Sequence, residues 1–361
     1  MNYLLIIKYA TFAFPIVAFL FTTPFILMEY HKFGSISFFK TVITYLFIYY
    51  LICAYFLVIL PLPKISEVAQ LTTPRTQLIP FCFVIDFIKH SSFDLFNYNT
   101  YFITLKESYF YVPLFNIILT IPFGIFLRYY FEWDKKRVVC YSFLLSLFFE
   151  LTQLSGLYFI YPRGYRLFDV DDLFLNTLGG LLGYFISTPM ISILPKISEV
   201  NHETRERGKM ISGFRRCVSL FLDTFLLLGM KLITIFLFGD KLYLSVLLIV
   251  FYYFVIPLLL DHSTLGQAFL NIQVLDYHNQ KKVGHLFFRR ILFLLLYIGI
   301  PIFTVNYIFH VKNDMVREFV GMVMVGVILL MDFITMIKYT FTNKDMLYEK
   351  ISKTKLVSTI K

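Results

Sequence analysis

Charge is scarce in this 361-residue chain: Asp, Glu, Lys and Arg together make up 16%, against roughly a quarter in an average soluble domain. That shortage excludes an ordinary water-soluble enzyme or binding module. Tryptophan occurs once, and the four cysteines (Cys53, Cys82, Cys140 and Cys217) are too scattered to form a disulfide framework or to show metal-ligand spacing. The seven histidines are also dispersed (His31, His90, His202, His262, His278, His285 and His310), so neither a metal centre nor a cofactor is expected. H-E-x-x-H, G-x-S-x-G, the P-loop and the Rossmann glycine fingerprint are all missing, and no recognised enzyme class is implied.

What fills the chain instead is apolar. Hydrophobic residues reach 58% and aromatics 20%, and the mean hydropathy is +0.72. A membrane span needs about 20 mostly apolar residues, and nine stretches qualify: 3–29, 37–62, 110–130, 138–161, 173–194, 217–238, 242–260, 291–311 and 319–338. The first lacks a basic flank before its apolar run and a small-residue cleavage site, and reads as a retained anchor rather than a signal peptide. The expected fold is an all-α polytopic membrane protein with about nine transmembrane helices in two helical bundles, surrounded by membrane lipids.

Lys and Arg set the orientation, because short basic loops stay on the cytoplasmic side. With the N-terminus outside and the C-terminus in the cytoplasm, most of the 33 basic residues fall in inner loops and the tail, including Arg215, Arg216, Arg289 and Arg290. The net charge of +10 then belongs to the anionic inner leaflet, and no nucleic-acid role is expected.

The composition changes at residues 195–214, a polar segment opening with Pro195. The expected organisation is an anchor helix over 1–36, a first membrane domain over 37–194, a cytoplasmic linker over 195–214, and a second membrane domain with its tail over 215–361. Within the first, the Pro- and aromatic-rich section 63–109 contains a piece, Leu78 to Lys89, expected either as an interfacial or re-entrant helix or as an ordered loop. Within the second, the loop 261–290 alternates from Asn271 to Asp276 and suggests a short strand or hairpin.

Polar side chains at membrane depth need a reason. Ser146, Glu150 and Gln153 are spaced i, i+4, i+7 on the fourth stretch, and Asp172, Asn176, Gly179 and Gly183 repeat that spacing on the fifth. Two polar stripes can therefore face each other, with Gly179-x3-Gly183 allowing close approach. Asn116, Pro122 and Gly124 lie on the third stretch, while Arg166 and Asp169 occupy the hairpin loop. Arg166 is the natural partner for Glu150. Three readings of the group stay open: a helix-packing network, a pocket for a polar headgroup, peptide or ion, or a catalytic site. Asp223 and Asp332 on later stretches are candidates for an ion or proton site. Asp223 reads equally as a salt-bridge anchor.

Taken together, residues 110–186 resemble the VanZ-like family, carried by Asn116, Pro122 and Gly124; Glu150 and Gln153; Arg166 and Asp169; and Asp172, Asn176 and Gly179. Residues 210–357 resemble the RDD family through Arg216, Asp223, the Thr264-Leu265-Gly266 turn and Val274-Leu275-Asp276, with Glu349 where that family has its second aspartate. The fusion is similar to proteins of Gram-positive bacteria. The first family takes its name from a protein linked to resistance against the glycopeptide teicoplanin, and some RDD domains are associated with sodium or proton transport.

The resemblance implies a cell-envelope role. The leading expectation is a non-enzymatic protein whose outer polar pocket engages a lipid-linked cell-wall component or a lipoglycopeptide and so lowers antibiotic susceptibility. The alternatives are an ion-coupled transporter working through Asp223 and Asp332, and a lipid-modifying enzyme with Glu150 as acid or base. Oligomeric state is not readable from the sequence.

Overall fold

A computed structural model describes residues 3–299 and 345–360, with five isolated positions between them (Val323, Gly326, Val327, Leu330 and Ile334). The stretches 291–311 and 319–338, and with them Asp332, lie largely or wholly outside the described residues. Seven described helices are long and apolar enough to cross a membrane, and they coincide with the first seven stretches. Helices are the expected solution, because a single spanning segment has to satisfy its own backbone groups in hydrocarbon. Their outer faces carry large apolar side chains such as Phe19 (77% exposed) and Phe236 (88%), as lipid contact requires.

The chain divides into two compact units, residues 1–22 with 38–200, and residues 23–37 with 201–361. The first opens with the early part of α1 (Tyr3–Phe33), followed by α2 (Phe38–Ile59), the short α3 (Ile65–Ala69), strand β1 (Thr76–Gln77), α4 (Cys82–His90) and α5 (Asn99–Thr104). Then come the long α6 (Ser108–Tyr130), α7 (Lys135–Leu154), the brief α8 (Gly156–Phe159), β2 (Phe168–Asp169) and α9 (Val170–Ile193). The next helix, α10 (Ile197–Gly208), makes the polar linker helical, and residues from 201 onward belong to the second unit. Between Leu78 and Lys89 a helix does form, α4, with Phe81, Ile85 and Ile88 exposed.

The centre of this unit is the α6–α9 seam. A Cβ on Gly124 would lie 1.9 Å from the Gly180 carbonyl oxygen, and one on Gly183 would lie 2.2 Å from that of Ile121. Only glycine permits that spacing. Gly179 likewise faces Ile117 and Thr120 of α6. The expectation that Gly179 and Gly183 hold the fifth span against the fourth is therefore corrected: they pack on the third. It is Gly180, one residue on, that meets Ser142 of α7. Adjacent residues point about 100° apart around a helix, so a run of two glycines gives α9 two close neighbours.

β1 pairs in parallel with β2, Gln77 against Asp169. This brings the section after α2 onto the loop that precedes α9. That loop begins at Gly156, where φ is +64° and a Cβ would stand 2.6 Å from the Arg163 carbonyl oxygen.

In the second unit, α11 (Gly213–Phe238) is followed by α12 (Leu242–Val250), a π-helical turn (Phe251–Val255) and α13 (Ile256–Leu259), which together make one span. Then come α14 (Leu265–Phe269), β3 (Ile272–Asp276), α15 (Val283–Leu294), α16 (Leu347–Ser352) and β4 (Thr354–Ser358). The 271–276 alternation is a strand, but not half of a local hairpin. β3 pairs antiparallel with β4, Ile272 against Ser358 and Asp276 against Thr354. The inward side of β3 buries Ile272 and Val274, and Ile272 joins a small core with Tyr30, Ile211 and Leu270.

Candidate functional site

Helical periodicity brings the polar residues of the first unit together. Ser146, Glu150 and Gln153 fall on the buried face of α7, and Asn176 on that of α9. Asn176 donates to the Ser146 hydroxyl at 3.0 Å, and that hydroxyl donates to the Asp172 carbonyl oxygen at 3.1 Å. From α6, Thr120 donates to the Asn176 carbonyl oxygen at 2.6 Å, and the Asn116 amide donates to Asp172 Oδ1. Three helices are thereby pinned at one level.

Beside this network lies a cavity of about 260 Å³. Its polar lining is Asn116, Glu150, Gln153, Arg166, Asp172 and Asn176, and its apolar lining includes Leu57 and Val58 of α2, Tyr111, Phe115 and Leu119 of α6, and Phe149 of α7. Six of the eight candidate pocket residues thus line one space. Ser146 stands behind Asn176 instead. Asp169 caps α9, accepting the Asp171 N–H at 2.9 Å. Burial raises its carboxyl pKa above the ordinary value, with the Asp171 N–H pulling the other way.

The expected Glu150–Arg166 ion pair is absent among the described residues. Glu150 is only 2% exposed, and its Oε2 accepts the backbone N–H of Asp169 at 2.9 Å. Arg166 donates instead to the carbonyl oxygen of Leu60 at 2.5 Å, tying the loop to the end of α2. Burial lowers its guanidinium pKa, against the opposing pull of Tyr165, Glu150 and Asp172. Gln153 holds the same helix end through the Val58 carbonyl oxygen, at 3.1 Å. Both wall residues therefore keep α2 in place as well as facing the cavity.

Other residues of this construction were not singled out by spacing. Asp171 is 2% exposed and accepts the N–H groups of Phe81 (2.6 Å) and Phe83 (3.0 Å), so it anchors the start of α4. Arg163 donates to the carbonyl oxygens of Leu71 and Thr73. The signal for Asp171 lay in the acidic doublet: two neighbours on a helix cannot face the same wall, so one had to serve a different partner.

The second unit treats its charges differently. Arg216 pairs with Glu349 Oε2 at 2.9 Å, and Arg289 pairs with Glu349 Oε1 at 2.9 Å. The Met346 N–H adds a third donor at 2.8 Å. Burial pushes the Glu349 carboxyl up, yet Arg289, Arg216 and these hydrogen bonds prevail and hold it below the ordinary glutamate range. Asp223 stands apart from Arg216: its oxygens accept from Tyr252 (2.6 Å), Thr264 (2.7 Å) and the Gly266 N–H (2.8 Å). It makes no salt bridge among the described residues. Arg215, Arg289 and Arg290, counted above as inner-loop charges, are buried, at 0%, 1% and 4% exposed. Arg215 donates to the carbonyl oxygens of Gly208, Leu270 and Asn271.

Two family models match the chain, VanZ/LLP1 over residues 47–193 and the RDD family over residues 211–345. The chain is a VanZ-like domain fused to an RDD domain. It is an integral membrane protein of the cell envelope. No curated protein and no solved structure matches it. The cavity belongs entirely to the VanZ-like match, while Glu349, which closes the RDD domain's ion network, lies just past the end of the other match.

Proposed function

We propose that the VanZ-like domain is a binding protein of the envelope, without catalytic activity of its own, whose cavity receives the polar end of a lipid-linked cell-wall component or of a lipoglycopeptide and so lowers susceptibility to antibiotics of the teicoplanin type. The observation that carries this reading is the cavity itself: six polar side chains meet apolar residues of three helices around about 260 Å³. Sites for whole drug-sized ligands run from roughly 300 to 1,000 Å³. This one suits a headgroup, with the remainder of the molecule lying in the bilayer.

The distribution of Lys and Arg favours an outward-facing mouth, where wall precursors and antibiotics are met. The transport reading draws no comparable support, because Asp223 already has three protein donors and Asp332 lies outside the described residues.

Cells expressing Glu150→Gln or Arg166→Ala at normal membrane abundance are expected to lose protection against a lipoglycopeptide. Full protection in both would end the pocket reading. Sidedness has its own test, an Arg166→Cys variant in a background lacking the four native cysteines, labelled by a membrane-impermeant thiol reagent on intact cells. Labelling only after permeabilisation would invert the topology.

A further inference from the structure

Glu150 and Asp172 each bring an unused carboxylate oxygen to the cavity. Glu150 uses one carboxylate oxygen on the Asp169 N–H, and Asp172 uses one on the Asn116 amide. The second oxygen of each has no hydrogen-bond partner among the described residues. Asn176 is 4% exposed, and its buried side-chain oxygen has no hydrogen-bond partner among the described residues. All three residues line the same space.

Charge is unbalanced in the same direction. Two carboxylates face the cavity and one guanidinium, Arg166, which already gives a hydrogen bond to Leu60. A carboxylate at membrane depth calls for a counter-charge, and a buried acceptor without a donor is costly. The occupant should therefore bring one positive charge and several N–H donors.

We infer that the cavity binds a primary ammonium group carried on an amphiphile. Such a group is a compact cation with three donors and no acceptor, and the cavity offers it the free carboxylate oxygens of Glu150 and Asp172, with the Asn176 side chain in the wall beside them. An adjacent anionic group, such as a phosphodiester, would lie toward Arg166, the one cation of the lining. Tyr111, Phe115 and Leu119 of α6 supply the apolar side along which a chain leaves. A bare metal ion suits the site less well, since no group of three or more His, Cys, Asp or Glu side chains that could hold one occurs among the described residues. A quaternary ammonium carries the same charge but no N–H, and would leave both carboxylate oxygens without a donor.

This inference rests on the cavity being a binding site, and the experiment separates the two. The purified full-length chain in detergent is titrated with short-chain phosphatidylethanolamine, phosphatidylcholine and phosphatidylglycerol, and with free phosphoethanolamine, and the thermal transition is followed. Phosphatidylethanolamine should half-saturate at a concentration about ten-fold or more below the other two lipids, as loss of charge-assisted hydrogen bonds implies.

Glu150→Gln, which keeps an acceptor for the Asp169 N–H, should remove most of that preference, and Asp172→Asn should do the same. Free phosphoethanolamine binding as tightly as the lipid would support the ammonium with a soluble source. Equal binding of phosphatidylethanolamine and phosphatidylcholine, or a preference untouched in Glu150→Gln, would overturn the ammonium assignment. If phosphatidylglycerol alone binds, the pocket stands and the ammonium falls. No response to any of the four would remove both.

Discussion

The VanZ-like and RDD domains both bury carboxylates, but they finish them differently. In the RDD domain, Glu349 has a guanidinium on each oxygen and Asp223 has both oxygens taken by three donors. In the VanZ-like domain, Glu150 and Asp172 each keep one oxygen for the space beside them. A saturated buried carboxylate holds a fold together. One left half-satisfied beside a cavity is kept for something that arrives. Composition cannot make this distinction, because in the sequence each of the four is simply an acid, with no mark of how many donors it will meet.

The sharpest way to break the comparison is to delete a saturated acid. Glu349→Ala leaves Arg216 and Arg289 without their shared counter-ion, and removing one partner of a buried pair costs about 3–5 kcal/mol. Thermal unfolding in detergent should show a large loss, with little folded protein recovered. A variant as stable as the parent would mean that the ion network contributes nothing.

Next in size is the α6–α9 seam. Gly183→Val forces a side chain against the Ile121 carbonyl oxygen, and overpacking of this kind costs about 1–3 kcal/mol or more. The same substitution at Gly229, where an added Cβ meets nothing within 4 Å, is the matched control and should fall within about 0.5 kcal/mol of what a glycine-to-valine change in a helix gives by propensity alone.

Glu150→Gln tests the unsaturated class. It should change stability by about 1 kcal/mol or less, since the Asp169 N–H retains an acceptor, while binding or protection is lost. A stability loss as large as that of Glu349→Ala would place Glu150 with the structural acids.

The smallest effect is a pH dependence. The Glu349 carboxyl is held below its unfolded value, so its contribution is complete above the ordinary glutamate pKa of about 4.3 and is lost as pH falls through the lower folded value. Melting midpoints should drop on acidification below that range, and more steeply for the parent than for Glu349→Gln.

Much of the fold was legible because a membrane simplifies the problem: apolar runs of span length have to be helices, and the seven described ones are where hydropathy put them. The polar face of α7 was legible for the same reason, since Ser146, Glu150 and Gln153 share a helical face by spacing alone. Partner choice was not. Spacing says that Gly179 and Gly183 form a smooth face but not which helix meets it, and α6 takes the place expected of α7.

Charge complementarity was similarly misleading. It suggested a pair between Glu150 and Arg166, where backbone groups from the loop and from α2 took both. Backbone donors and acceptors carry no residue identity, so a sequence cannot advertise them. The burial of Arg215, Arg289 and Arg290 was not legible either, because a basic run beside a span looks the same whether it meets water or the protein's own carbonyl groups.

The pairing of β3 with β4 also bears on synthesis. When Asp276 leaves the ribosome, Thr354 has yet to be made. Until that later segment is translated, the apolar side of β3 and the clamp around Arg215, which reaches Ser358, stay unfinished. The RDD domain is therefore an element that ripens late, and nascent chains halted in that interval should be the ones quality-control proteases find.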